Sequence, residues 1–223
     1  MDDEDLFDRL RNRLFTAVVG DVMDVAGLKR QFLPPAIGGL VPETILVGRA
    51  MPVLEADLAG EPSGDDPAAD FGLMLRALDD LKRGEVYICT GGSPDYALWG
   101  GLMSTRAMTL GATGAVLDGY HRDTREIVHL GFPVFSHGSY AQDQRTRGRV
   151  VDFRVQIEFG NGCRVAPGDV IFGDIDGVVV IPSDRAEEIV RLALAKASGE
   201  DDVRRMIGEG QSAEAAFAKT GIM

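Results

Sequence analysis

The apolar positions change rhythm twice along this chain. Leu6, Phe7, Leu10 and Leu14 recur at helical spacing and predict an amphipathic helix over 4–15. A second helix is expected over Val18–Ala26, with Thr16 near its start. Three prolines make 27–43 mostly loop, and Ile45–Leu54 alternates as a strand. Residues 55–70 are polar and acidic and predict a loop, of a length that in a compact fold accompanies mobility or function. Leu73, Leu75, Leu78 and Leu81 predict a helix over 71–81. Short apolar runs at Val86–Cys89, Ala115–Leu117 and Pro133–Phe135 then alternate with helical stretches over 97–110 and 123–130, the pattern of parallel βαβ units.

Beyond about residue 145 the texture is different. Val150–Phe159 alternates as an antiparallel strand does, and Cys163–Val165, Val170–Phe172 and Val178–Ile181 follow as strands. Turns at 167–169 (Pro-Gly-Asp) and 174–177 (Asp-Ile-Asp-Gly) separate the last three. The spacing of Asp184 and Glu187 is that of a capping box and predicts a helix to about Ala197, with shorter helices over Glu200–Gly208 and Ser212–Lys219. The expected architecture is a mixed α/β fold in one domain over 1–223. The helix at 4–15 and the helices within 184–219 are expected to be peripheral.

Composition narrows the function. A net charge of −12 over 223 residues argues against a nucleic-acid partner, which needs a basic surface, but leaves room for a small anion in a local cationic pocket. No apolar run is long enough to span a bilayer, and the acidic start is the opposite of a targeting peptide, so the cytoplasm is the expected compartment. Cys89 and Cys163 are expected to be free, buried thiols.

The candidate chemistry lies between Ala97 and Asp123. The pair Gly100-Gly101 can open a helix, and Arg122-Asp123 follows a short apolar strand. An arginine beside a carboxylate at a strand end can hold an anion and a metal ion side by side; it can equally be a surface pair capping the next helix. Alternation turns His121 away from whatever Arg122 faces. His129 and His137 read as structural, Trp99 and Tyr120 as packing at a subunit contact, and Asp21 as a helix cap. Asp174 and Asp176 read as turn residues, and Arg145, Arg147 and Arg149 as a solvated strand entry.

The blocks Ala97-Leu-Trp-Gly-Gly-Leu-Met103, Gly114-Ala-Val-Leu-Asp-Gly-Tyr-His-Arg-Asp123, Gly131-Phe-Pro-Val-Phe135, the stretch 165–182 and the ending 216–223 together resemble the RraA-like family. That family includes the metal-dependent 4-hydroxy-4-methyl-2-oxoglutarate aldolases and the regulator of ribonuclease activity A. The resemblance implies an α/β/β fold of the swivelling, phosphohistidine-domain-like type. It also implies a homotrimer, or a homohexamer of paired rings, with sites between neighbouring subunits. In the aldolase branch Asp123 would bind Mg²⁺ or Mn²⁺, and Arg122 would bind the pyruvyl group of a small 2-oxo acid. The amides of Leu102 and Met103 would face the substrate. Gly101 stands where the aldolases carry an acid that reaches the metal through water, with Asp95 a candidate replacement. A further acid would come from the adjacent subunit's C-terminal region: Glu200, Asp201 or Asp202, with Glu200 preferred.

Cleavage to pyruvate needs an enolate stabilised by a lysine Schiff base or by a divalent cation. None of the four lysines, Lys29, Lys82, Lys196 and Lys219, is set in an apolar strand, and no His/Cys cluster suggests zinc. The reading is therefore a divalent-metal-dependent lyase cleaving a 4-hydroxy-2-oxo acid to pyruvate, with oxaloacetate decarboxylation as a second activity and a bound water as base. The alternatives are a non-catalytic regulatory protein of the ribonuclease-regulator type and a homologue of altered chemistry acting on a sugar-acid-like substrate.

Overall fold

In the computed structural model, which describes residues 1–58 and 69–222, short strands and helices alternate around one mixed sheet. The helices are α1 (Asp3–Arg13), α2 (Thr16–Val25), α3 (Met74–Asp80), α4 (Gly101–Leu110), α5 (Thr124–Leu130), α6 (Ala186–Gly208) and α7 (Ala213–Thr220). The strands are β1 (Gly38–Gly39), β2 (Leu46–Asp57), β3 (Glu85–Thr90), β4 (Ala97–Trp99), β5 (Gly114–Leu117) and β6 (Tyr120–His121). They continue with β7 (Val134–Ser136), β8 (Gly148–Phe153), β9 (Ile157–Glu158), β10 (Arg164–Val165), β11 (Val170–Asp174) and β12 (Gly177–Ile181).

The main sheet runs β1-β7-β5-β3-β2-β11-β12, with β8 also paired to β2. Its centre, β2-β3-β5-β7, is parallel, as the βαβ rhythm predicts, and β11, β12 and β8 add antiparallel strands. Successive side chains of a strand point to opposite faces. Val47, Met51, Val53, Tyr87, Cys89, Val170 and Phe172 thus share one face, beneath the helices. Leu46, Val86, Ile88, Val116 and Ile171 face the other way. They pack against Leu33, Ile37 and the β9–β10 pair, giving layers of helix, sheet and a smaller β layer. Helices α1, α2 and α6 share a single apolar cluster with β11 and β12. Both cysteines are free and buried.

Several sequence expectations change. The stretch from Ala97 starts as strand β4, because all three of its side chains are buried, and the helix begins only after Gly100. Val150–Phe159 divides into β8 and β9, with Arg154 at φ 57 between them, where its side chain turns to Asp80 and Glu85. Two expected helices fuse into α6, since nothing between Ala197 and Glu200 interrupts the backbone. Asp184 does not cap that helix: Arg185 is the N-cap, without a side-chain cap bond. Residues 59–68 of the expected acidic loop lie outside the described residues, while Glu55 and Asp57 belong to β2.

Candidate active site

The site is built where two strands of a small parallel pair, β4 and β6, end side by side. Trp99 is in register with His121, and the Arg122 amide donates to the Trp99 carbonyl at 2.9 Å. Each strand passes directly into a helix, so the starts of α4 and α5 adjoin. Ligand sites gather outside the carboxyl ends of parallel strands for this reason: side chains and first-turn amides converge there.

Asp123 occupies the N-cap position of α5 at φ 58, an uncommon conformation that aspartate tolerates better than most residues. Its side chain makes no cap bond to α5 and crosses instead to α4, where Oδ2 accepts the Gly101 amide at 3.1 Å. Oδ1 takes part in no hydrogen bond among the described residues, and the side chain is 44% exposed. Arg122 lies beside it, Nε 3.9 Å from Oδ2, and its Nη1 is 3.3 Å from Asp143 Oδ1. The loop carrying Asp143 is held by three backbone bonds: Ala97 to Gln142, His121 to Gly138 and Tyr140 to His121. Arg122, Asp123, Thr124, Ser139, Tyr140 and Ala141 line a cavity of about 310 Å³.

The sequence candidates sort clearly on this frame. Arg122, Asp123 and Gly101 come together, and Leu102 and Met103 supply first-turn amides with no acceptor inside their helix. Glu200 does not join them within the chain. It pairs with Lys196 at 3.5 Å and lines a larger cavity of about 410 Å³ with Arg11, Arg13 and Arg204. The smaller cavity is the better candidate because it alone of the two holds the Arg-Asp pair. Asp95 is not among its walls; its carbonyl accepts Gln142 Nε2 at 3.0 Å and helps hold the loop. His121 is buried, with Nδ1 2.7 Å from Ser136 Oγ and Nε2 3.1 Å from Thr124 Oγ1, and burial lowers its pKa. It braces the wall without entering the cavity.

Trp99 is a core residue, where a subunit contact was expected: it is 1% exposed, stacked on Phe132 and bonded through Nε1 to Ser104 Oγ. Asp21 lies inside α2 and pairs with Lys196. Asp174 turns the β11–β12 corner by accepting the Asp176 amide, and it also binds the amide and hydroxyl of Thr16. Arg145 pairs with Asp70 at 3.0 Å, and Arg147 donates to the Asp143 carbonyl. Sequence reasoning missed Ser139, Tyr140 and Asp143. Nothing in their spacing marks them, because the loop reaches the site through backbone bridges to β4 and β6.

Among the described residues no three His, Cys, Asp or Glu side chains converge as a metal-binding group. A cation here would be held by few protein oxygens and many waters. That is the habit of Mg²⁺ or Mn²⁺, and the spare Oδ1 of Asp123 fits it, whereas zinc asks for a fuller nitrogen or sulfur set.

The chain is thus a mixed α/β fold that brings an arginine and a carboxylate together at adjoining strand ends. The family described as RraA-like, Aldolase/RraA, matches residues 16–180, and the chain belongs to that family. A protein of Halalkalibacterium halodurans, provisionally named 4-hydroxy-4-methyl-2-oxoglutarate aldolase, is 33% identical over 156 residues, covering 70% of this chain and 71% of that protein. Protein DlpA of Legionella pneumophila is 32% identical over 135 residues, covering 60% of this chain, and the matched part is only 22% of DlpA's length. The crystal structure of Streptomyces coelicolor RraAS2, described as an unusual member of the RNase ES inhibitor RraA family, shares the fold. Its TM-score is 0.77 at 23% identity, over 92% of this chain and 99% of that one. No helix among the described residues is long and apolar enough to cross a membrane.

Proposed function

We propose that the Arg122–Asp123 site is that of a divalent-metal-dependent lyase that cleaves a 4-hydroxy-2-oxo acid to pyruvate. The observation that carries this reading is the Asp123 side chain, turned from its own helix to the Gly101 amide with one oxygen left unengaged beside Arg122. Asp123 and waters would hold Mg²⁺ or Mn²⁺, which supplies electrophilic polarisation of the 2-keto oxygen. Arg122, braced by Asp143, binds the substrate carboxylate with its planar fork of donors. The amides of Leu102 and Met103, at the positive end of α4, face the oxygen on which charge develops.

When the C3–C4 bond breaks, its electron pair passes into the pyruvate enolate and the 4-hydroxyl becomes a carbonyl. In this reading a water bound at the site takes the hydroxyl proton. Loss of CO₂ from oxaloacetate gives the same enolate, which makes decarboxylation the expected second activity. In this reading the chain works as a homotrimer or homohexamer, and Glu200 of the partner subunit completes the site.

The test is pyruvate release, coupled to lactate dehydrogenase, from 4-hydroxy-2-oxo acids and from oxaloacetate, with Mn²⁺ and with chelator. Metal-dependent release that falls by about 10² or more in Asp123→Asn and Arg122→Leu supports the lyase. No release from any of these substrates, with Mn²⁺ bound, would leave the regulatory or altered-chemistry readings in its place.

A further inference from the structure

The two glycines that open α4 each lie beneath a carboxylate. A Cβ on Gly100 would sit 2.7 Å from Asp123 Oδ2, and a Cβ on Gly101 would sit 2.2 Å from Glu126 Oε2 and 2.4 Å from its Cδ. Both distances are closer than real atoms approach, so any side chain at 101 must push Glu126 aside. Gly101 itself is in ordinary helical backbone, with no positive φ to demand glycine. Space for the Glu126 carboxylate is therefore what glycine provides there. Glu126 stands in the first turn of α5, three residues after the N-cap Asp123, and both carboxylates lie against the start of α4. Glu126 is exposed and forms no ion pair among the described residues, although Arg122 and Arg125 are close in sequence.

We propose that Glu126 is the second acidic group of this site: it supplies from α5 the carboxylate that position 101 lacks, and it holds a water of the cation's shell beside Asp123. This rests on the lyase reading above. A carboxylate laid against glycine replaces one grown from the helix below it. The exchange explains how a site without an acid at 101 keeps its second acidic group. A purely structural role is also definable: Glu126 could rest at the positive end of α4 and steady it.

Direct Mn²⁺ binding, read by electron paramagnetic resonance, separates these roles without reference to turnover. The proteins compared are wild type, Glu126→Gln, Gly101→Ala, the double variant Gly101→Glu with Glu126→Ala, and Asp123→Asn. Glu126→Gln is expected to weaken Mn²⁺ about tenfold, the usual effect of a water-mediated partner. Gly101→Ala, whose methyl displaces Glu126, should weaken it comparably while its melting temperature stays or rises, since alanine favours a helix over glycine. The double variant should recover most of the affinity, because a carboxylate returns from the other helix. If Glu126→Gln and Gly101→Ala bind Mn²⁺ as wild type does while Asp123→Asn does not, the assignment of Glu126 is overturned and the site reading stands. If wild type binds no Mn²⁺, both fall together.

Discussion

Glu55 offers a test of how burial sets charge in this fold. It lies on β2 with 2% exposure, at the point where the register with β8 shifts. Oε2 accepts a 2.6 Å hydrogen bond from Gln144 Nε2, and Oε1 has no partner among the described residues. Burial pushes the carboxyl from 4.5 up to about 7, and the Gln144 bond offsets only part of that. Its charge is felt by the buried Tyr87 and Cys89. A raised folded pKa means that the folded chain holds the proton more tightly than the unfolded one. The stabilisation is fully present below about 4.5 and is lost as pH rises through about 7, a change of about 3 kcal/mol. Glu55→Gln keeps the shape and can still accept from Gln144, but it cannot ionise. Urea unfolding of both proteins between about pH 5 and pH 8 isolates this group, because every other titration is common to the pair. The variant should gain on wild type across that window, by about 3 kcal/mol in full. A difference that does not change with pH would mean that burial does not raise the Glu55 pKa in the folded chain.

Three further outcomes follow from the packing and the site. Trp99→Ala removes a ring centred 6.0 Å from Phe132 and 4.9 Å from Tyr87, and should cost about 3–5 kcal/mol in urea unfolding. Asp174→Ala strands the buried amide and hydroxyl of Thr16 and should cost about 2–4 kcal/mol by the same assay; a loss below about 0.5 kcal/mol would contradict the role given to it. Asp143→Asn removes the charge that braces Arg122. Because both side chains are more than a third exposed, folding stability should stay within about 0.5 kcal/mol, while KM for the oxo acid rises about tenfold.

The periodic parts of the molecule are legible in the sequence because burial imposes a period. Leu6, Phe7 and Leu10 repeat at helical spacing since α1 covers one face of the sheet. Val86, Tyr87, Ile88 and Cys89 form an unbroken apolar run since β3 is buried on both faces. β4 defeats the same reasoning: Ala97, Leu98 and Trp99 are all buried and run straight into α4, so three strand residues look like a helical turn. Arg122 and Asp123 stand out because charge follows directly on an apolar strand. Asp143 does not, because it arrives on a loop placed by main-chain bonds, and main chain leaves no mark on composition. The closest case is Gly101: the family resemblance implies an acid at that position, but only the fold shows the Glu126 carboxylate lying where a side chain there would grow.

The central claim is that Asp123 and Arg122 hold an oxo acid and a divalent cation together. Paramagnetic resonance of Mn²⁺ titrated first with the protein and then with pyruvate examines it most directly. Wild type should bind Mn²⁺, and pyruvate should alter the bound signal. Asp123→Asn should lose the ion, and Arg122→Leu should keep the ion but lose the response to pyruvate. A wild-type protein that leaves Mn²⁺ free in solution, or variants that behave as wild type does, would mean that Asp123 and Arg122 hold no cation and oxo acid together.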